Sequence, residues 1–209
     1  MNWESKVLMT DLLYLPPLAY FVAVKDVSEI HVNAGDKLTR NSYVNKAEVL
    51  LANKKETLIV PVHGLRKKHA IKDVKIDYHQ KWLNVHLRGI QSAYGKSPFF
   101  EYFYEDLERI YLRKHAFLID LNLDLLTFCL GFMRWDVRLI VEEKEGEVPE
   151  ENDIRGLVHP KSLIDRDKIY KPYPYLQIFG ANFVPNLSIV DLLFCEGPAA
   201  TEVLNLSKK

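Results

Sequence analysis

The chain is poor in the features that usually announce a chemistry. Its 209 residues hold two cysteines, Cys129 and Cys195, both inside apolar runs. Buried free thiols fit that placement, and a disulfide does not. There is no charge of one sign to spend: 28 Lys and Arg balance 28 Asp and Glu. A chain-wide attraction to nucleic acid or to an anionic membrane is thereby removed. No apolar run reaches the roughly 18 residues of a membrane span. Residues 117–133 come nearest, and Asp120, Asn122 and Asp124 interrupt them. The first residues lack the charged-then-apolar pattern of a secretory signal, so a cytoplasmic location is expected. The nine glycines make no GxGxxG and no GxxxxGK[ST], and GxSxG, HExxH and CxxC are absent too. Gly95-Lys96-Ser97 echoes the end of a phosphate loop, but Gly89 lies one residue too far upstream and a predicted helix precedes it.

What is present is an ordinary core: 48% of residues are hydrophobic and 27% charged. A single α/β domain over 1–209 is expected. Residues 6–10 read as a buried strand, Pro16-Pro17 as a turn, and 18–25 as a helix opened by proline. Residues 29–32 read as the next strand, which predicts a βαβ unit with parallel strands. The runs 46–52 and 57–62 flank Asn53-Lys54-Lys55 and predict a β-hairpin, with 73–77 as a further strand. The βαβ unit and the hairpin are expected to form a mixed sheet packed against a central helical region. That region is read from Leu83, Leu87, Ile90 and Tyr94 on one stripe, then Phe103, Leu107 and Ile110, then Leu121, Leu125 and Phe128. Ser97-Pro98 has the form of an N-cap with proline at N1. Residues 137–141 revert to strand character. The acidic stretch 142–153, with Gly146 and Pro149, reads as a mobile loop.

The seven histidines show no metal-ligand spacing, so no metal site is predicted. His86 is the best single candidate for chemistry. It sits one helical turn after Trp82 at the edge of an apolar stripe, where it suits either a general acid or base or a structural histidine bonded to backbone. Arg40, Asn41, Asn45 and Lys46 lie between predicted strands and suit an anionic ligand; the bland reading is a solvated strand edge. The run Arg66-Lys67-Lys68 reads as a solvated turn. Near the C-terminus, Ser188 and Asp191 have the spacing of a capping box, Asn186 is a rival cap, and Gly197-Pro198 is a helix stop. The functional alternative is that Asn186 and Asp191 meet hydroxyl groups of a ligand at a helix start.

Taken together, these stretches resemble the WbqC-like protein family. Tyr14-Leu15-Pro16-Pro17-Leu18-Ala19-Tyr20-Phe21 is similar to the family's opening, and Asn45-Lys46 stands where it tends to show Asn-Arg. Trp82, His86, Arg88, Tyr94 and Ser97-Pro98-Phe99-Phe100 resemble its central pattern. Pro185-Asn186-Leu187-Ser188-Ile189-Val190-Asp191-Leu192-Leu193-Phe194 resembles its closing motif. The resemblance implies a transferase that modifies an activated sugar in surface-polysaccharide (O-antigen type) biosynthesis, with glycine or aminoacyl transfer as the suggested reaction. The implied substrate is a small molecule, a nucleotide- or lipid-linked sugar, and no cofactor is named. On this reading His86 and Asp191 are catalytic. Arg40, Asn45, Lys46, Trp82, Arg88, Tyr94 and Asn186 bind substrate. The missing motifs keep an alternative open, a non-catalytic ligand-binding or assembly protein of the same pathway.

Overall fold

The computed structural model describes residues 7–38, 42–52, 54–64, 69–143, 148–160, 167–180 and 182–209. Strand β1 (Val7–Met9), helix α1 (Leu18–Ala23) and strand β2 (Glu29–Asn33) form the expected βαβ unit. β1 and β2 pair in parallel, and β5 (Arg138–Glu142) pairs in parallel on the other side of β2. The hairpin forms as expected from β3 (Lys46–Leu50) and β4 (Lys55–Ile59), antiparallel in the register Lys46 to Ile59. It does not join β1, β2 and β5 in one mixed sheet. The α/β architecture therefore carries two sheets among the described residues, one of three parallel strands and one of two antiparallel strands.

The central helices are α2 (Trp82–Tyr94), α3 (Phe100–Leu112) and α4 (Leu118–Phe132). Each turns its apolar stripe inward: Ile90 and Tyr94 of α2, Leu107 and Tyr111 of α3, and Leu121, Leu125 and Leu126 of α4 are buried. Helices α5 (Ile189–Glu196) and α6 (Ala200–Leu206) close the chain. α5 is buried along nearly its whole length, as its continuous apolar run predicts.

Three local expectations change. The predicted strand at 73–77 is a 3-10 turn (Ile71–Asp73) followed by isolated bridges from Lys75 to Phe117 and from Ile76 to Val62. Its alternation fits pairing, but the partners come from separate segments. Ser97 does not cap α3; its hydroxyl donates back to the Tyr94 carbonyl at 2.6 Å and closes α2. Of the acidic stretch, Glu142 ends β5, residues 144–147 lie outside the described residues, and Glu150–Asn152 forms a 3-10 turn whose next residue, Asp153, bridges to Met9.

The opening and closing segments are stitched together. Leu18 N donates to Leu187 O at 3.0 Å, Ile189 N to Pro16 O at 2.9 Å, and the Ser188 hydroxyl to Leu15 O at 2.9 Å. Ala19 N donates to Asn186 Oδ1 at 2.9 Å. The N-cap of α1 is Pro17, whose side chain offers no acceptor, so Asn186 supplies the cap from across the fold. Asn186 itself has φ +57°, a left-handed conformation that asparagine tolerates better than most residues. Its backbone N–H donates to the Tyr170 hydroxyl at 3.2 Å. Asn186→Ala is expected to cost about 2 kcal/mol in chemical denaturation, the sum of a lost cap and left-handed strain. Asn186→Gly removes the cap but not the permitted backbone, and is expected to cost about half as much. Equal losses for the two variants would count against this division.

Candidate functional site

A groove of about 520 Å³ lies between the hairpin and α2. The hairpin presents Val49, Leu51, Leu58 and Ile59, and α2 presents Trp82, Val85 and His86. On the helix these last residues follow one another at positions i, i+3 and i+4, so a single face supplies them. Ile59 and Val85 form exposed lips, at 46% and 61% of full exposure. One end of the groove is the start of α2, where Gln80 and Lys81 lie. No side chain caps that start. Lys81 makes no ion pair among the described residues, whereas Glu56 on the opposite wall is held by Lys54 at 2.7 Å. The polar end of the groove therefore favours negative charge, through the helix start and one unpaired ammonium.

His86 is only 2% exposed. Its Nδ1 meets the Tyr14 hydroxyl at 2.8 Å, and that hydroxyl in turn bonds the Tyr111 hydroxyl. Burial drives the imidazole pKa down to about 4, against a smaller upward pull from the Ile59 carbonyl beside it. A carbonyl only accepts, so the network assigns the ring proton to Nε2 and makes Nδ1 the acceptor of the Tyr14 O–H. The ring lies edge-on to Trp82, with centroids 5.0 Å apart. The Trp82 indole N–H is buried and has no hydrogen-bond partner among the described residues.

Asp191 belongs to a different cluster. It is 1% exposed, on the first turn of α5. Its Oδ2 accepts from the Tyr175 hydroxyl and, at 3.1 Å, from Gln177 Nε2. Gln177 also clamps Val184, donating to its carbonyl at 2.9 Å and accepting from its N–H at 2.8 Å. Oδ1 is buried without a partner of normal geometry, although the nearby Tyr94 hydroxyl helps hold the carboxylate charged. Burial outweighs these donors and raises the Asp191 pKa. Tyr94 accepts the Leu50 N–H at 3.3 Å and packs on Phe194 at 5.3 Å.

The structure thus brings Trp82 and His86 together at the groove, and Tyr94 and Asp191 together at the α2–α5 contact. His86 and Tyr94 are eight residues apart on α2, roughly 12 Å along the axis. No hydrogen bond links the two clusters among the described residues. Asn45 is buried at the root of the hairpin, its side chain donating to Val60 O at 2.9 Å. Lys46 follows it, half-buried and opposite Ile59. Arg88 is exposed, outside the groove lining. Arg40, Asn41 and the run Arg66-Lys67-Lys68 lie outside the described residues. The Ser188 hydroxyl and the Asp191 carboxylate do not form the expected capping box; each is turned to a distant partner.

The fold also assembles a cluster that the sequence reading did not single out. Asp11 follows β1, Asp36 follows β2, and Arg155 donates to Asp36 at 2.9 Å and to Asp153 at 2.6 Å. Asp11 accepts from Gly156 N at 2.6 Å, and burial raises its carboxyl pKa. The available signal was position: acidic residues just past predicted parallel strands sit at the edge where α/β sheets tend to place ligands.

A model of the WbqC-like protein family matches residues 13–167 and 168–203. The chain belongs to that family. No curated protein matches it. Among the described residues, this WbqC-like protein has no helix long and apolar enough to cross a membrane and no cluster of His, Cys, Asp and Glu able to hold a metal ion. The stitched opening and closing segments give the WbqC-like sequence pattern a physical basis, because the residues that carry the two motifs bond directly to one another.

Proposed function

We propose that this WbqC-like protein is a transferase acting on an activated sugar, with the groove beside α2 holding the activated end of the substrate. The observation that carries this reading is the groove's two-ended character. An uncapped helix start with Lys81 suits a phosphate group, and walls of Val49, Leu58, Ile59 and Val85 suit an apolar base or lipid. A nucleotide- or lipid-linked sugar offers both. Trp82 supplies the aromatic surface in this scheme. His86, neutral and tied to Tyr14, orients Trp82 from beneath. General acid or base work by His86, with Asp191 binding a hydroxyl, is the sharper form of the proposal. It asks one substrate to reach both clusters. The transferred group in this form is glycine or another aminoacyl unit, as the family resemblance implies.

Val85→Glu tests the site. Val85 is exposed, so the variant is expected to fold, while a carboxylate on the groove lip repels an anionic ligand and wets the apolar wall. Affinity for a nucleotide sugar or a polyprenyl phosphate, read by calorimetry, is expected to fall about tenfold or more. Unchanged affinity in a folded variant removes the groove from the function. The second reading is a ligand-binding or assembly protein of the same pathway. It is favoured by one observation, that His86 Nδ1 is already engaged inside the protein. Incubation with activated sugars and amino-acid donors, followed by mass spectrometry of the products, separates the two readings.

A further inference from the structure

A second cleft, of about 260 Å³, lies at the N-terminal edge of the parallel sheet and shares no lining residue with the groove. It is built from the turn before β2 (Lys25, Asp26), the turn before β5 (Trp135, Asp136), and Thr201 and Asn205 of α6. Trp135 forms one wall. Its indole N–H donates to the Thr201 hydroxyl at 3.1 Å, which fixes the plane of the ring, and Phe21 packs edge-on to it at 6.2 Å. Thr201, having accepted that bond, still has its own O–H to donate. The Asp136 carboxylate is exposed and makes no ion pair or side-chain hydrogen bond among the described residues. The Asn205 side chain is likewise exposed and makes no hydrogen bond among the described residues; its backbone carbonyl accepts from Ser207 N and Lys208 N. Two non-glycine residues in left-handed conformation, Asp26 at φ +68° and Arg134 at φ +55°, shape the two turns that meet here. Such conformations have to be held in place by their surroundings.

We propose that this cleft binds a neutral pyranose. A flat aromatic wall matches the C–H face of a sugar ring. A carboxylate acceptor, a carboxamide that both donates and accepts, and a hydroxyl donor match its hydroxyl groups. The charge favours neither sign: Asp26 pairs with Lys25 at 2.8 Å and Lys208 at 3.4 Å, and with Asp136 these two cations and two carboxylates sum to zero, which suits a neutral ligand. A third cleft, of about 250 Å³ and lined mainly by Leu130, Val137 and Leu139, shares Trp135 and Val137 with the second. A pyranoside bearing an apolar substituent therefore gains additional contact there.

The test is titration of the full-length protein with methyl and phenyl pyranosides of glucose and galactose, followed through the Trp135 indole N–H signal in NMR spectra. At least one of these probes is expected to shift that signal saturably, with the phenyl compound binding more tightly than its methyl counterpart. Asp136→Ala and Asn205→Ala, both at exposed positions, are each expected to weaken binding about tenfold. Val85→Glu, in the distant groove, is expected to leave it unchanged. Three outcomes overturn the proposal: no saturable shift with any pyranoside, wild-type affinity in both the Asp136→Ala and Asn205→Ala variants, or tighter binding of a sugar phosphate or a simple alkylammonium ion than of the neutral sugar.

Discussion

Gly197→Ala is expected to destabilise the protein by about 3 kcal/mol or more, the sum of backbone strain and overpacking. Gly197 ends α5 with φ +52° and ψ −122°, a combination that only glycine adopts readily. A Cβ built there lies 2.5 Å from the ring of Phe99. That ring is confined: Phe99 N donates to Phe194 O at 3.1 Å, so the segment leading into α3 is tied to α5. The two costs are separable. Phe99→Leu in the Gly197→Ala background is expected to recover part of the loss by relieving the clash, while the backbone strain stays. Urea denaturation of the four proteins in the cycle measures both. A Gly197→Ala protein within about 0.5 kcal/mol of wild type, the usual range for neutral surface changes, would show that the joint between α5 and α6 is not constrained as described.

Acid is expected to remove about 3 kcal/mol of stability through His86 alone, from a pKa difference of this size. The folded imidazole titrates at about 4 because it is buried, whereas the unfolded one has its ordinary value of 6.5. Between those values the unfolded chain takes up a proton that the folded chain refuses, so stability falls as pH falls. The contribution is fully present above 6.5 and lost by about pH 4. Other groups act differently. Burial raises the carboxyls of Asp191, Asp11 and Asp36, which stabilises the fold as pH falls. At His31 burial opposes the charge, but the carboxylates of Glu142 and Glu29 outweigh it and raise the pKa. The His31 contribution is therefore complete below the unfolded pKa and is lost only as pH rises through the folded one, outside the acid limb. The comparison that isolates His86 is wild type against His86→Gln. The variant is expected to lose about 3 kcal/mol less between pH 7 and 4. Parallel profiles, or a His86 imidazole that titrates near 6.5 by NMR, would contradict the buried His86–Tyr14–Tyr111 arrangement.

The residues that were easiest to read were those whose role is local. Periodicity places α2, α3 and α4 because a helix buries every third or fourth side chain whatever it packs against. The βαβ start was legible because Pro17 opens α1 between two short apolar strand runs. Ser97, Ser188 and Asn186 were harder. Each has a short polar side chain that bonds equally well to its own turn or to a distant backbone group, and nothing in the adjacent residues says which partner is closer. Asn186 caps α1 rather than α5 because the fold carries Pro17 and Ser188 into a bridge.

The candidate site divides along the same line. Trp82 and His86 are one turn apart, so their meeting was implied once α2 was recognised. Lys81 and Val85 carried no distinguishing signal, since a surface lysine and an exposed valine are common; they matter only because the hairpin lies opposite. Asp191 could be placed on a short helix but not paired with Tyr175 and Gln177, which reach it from an extended segment.

The sequence by itself determined α1 to α5, the parallel start, the hairpin, the free thiols and the family, because those follow from residue type and short-range spacing. Tertiary structure alone decided that the hairpin forms its own sheet and leaves a groove against α2, that β5 rather than the hairpin completes the parallel sheet, and that His86 and Asp191 lie in separate buried clusters. These depend on contacts between residues far apart in the chain, and no local spacing encodes which of two compatible partners a strand edge or a buried polar group will meet.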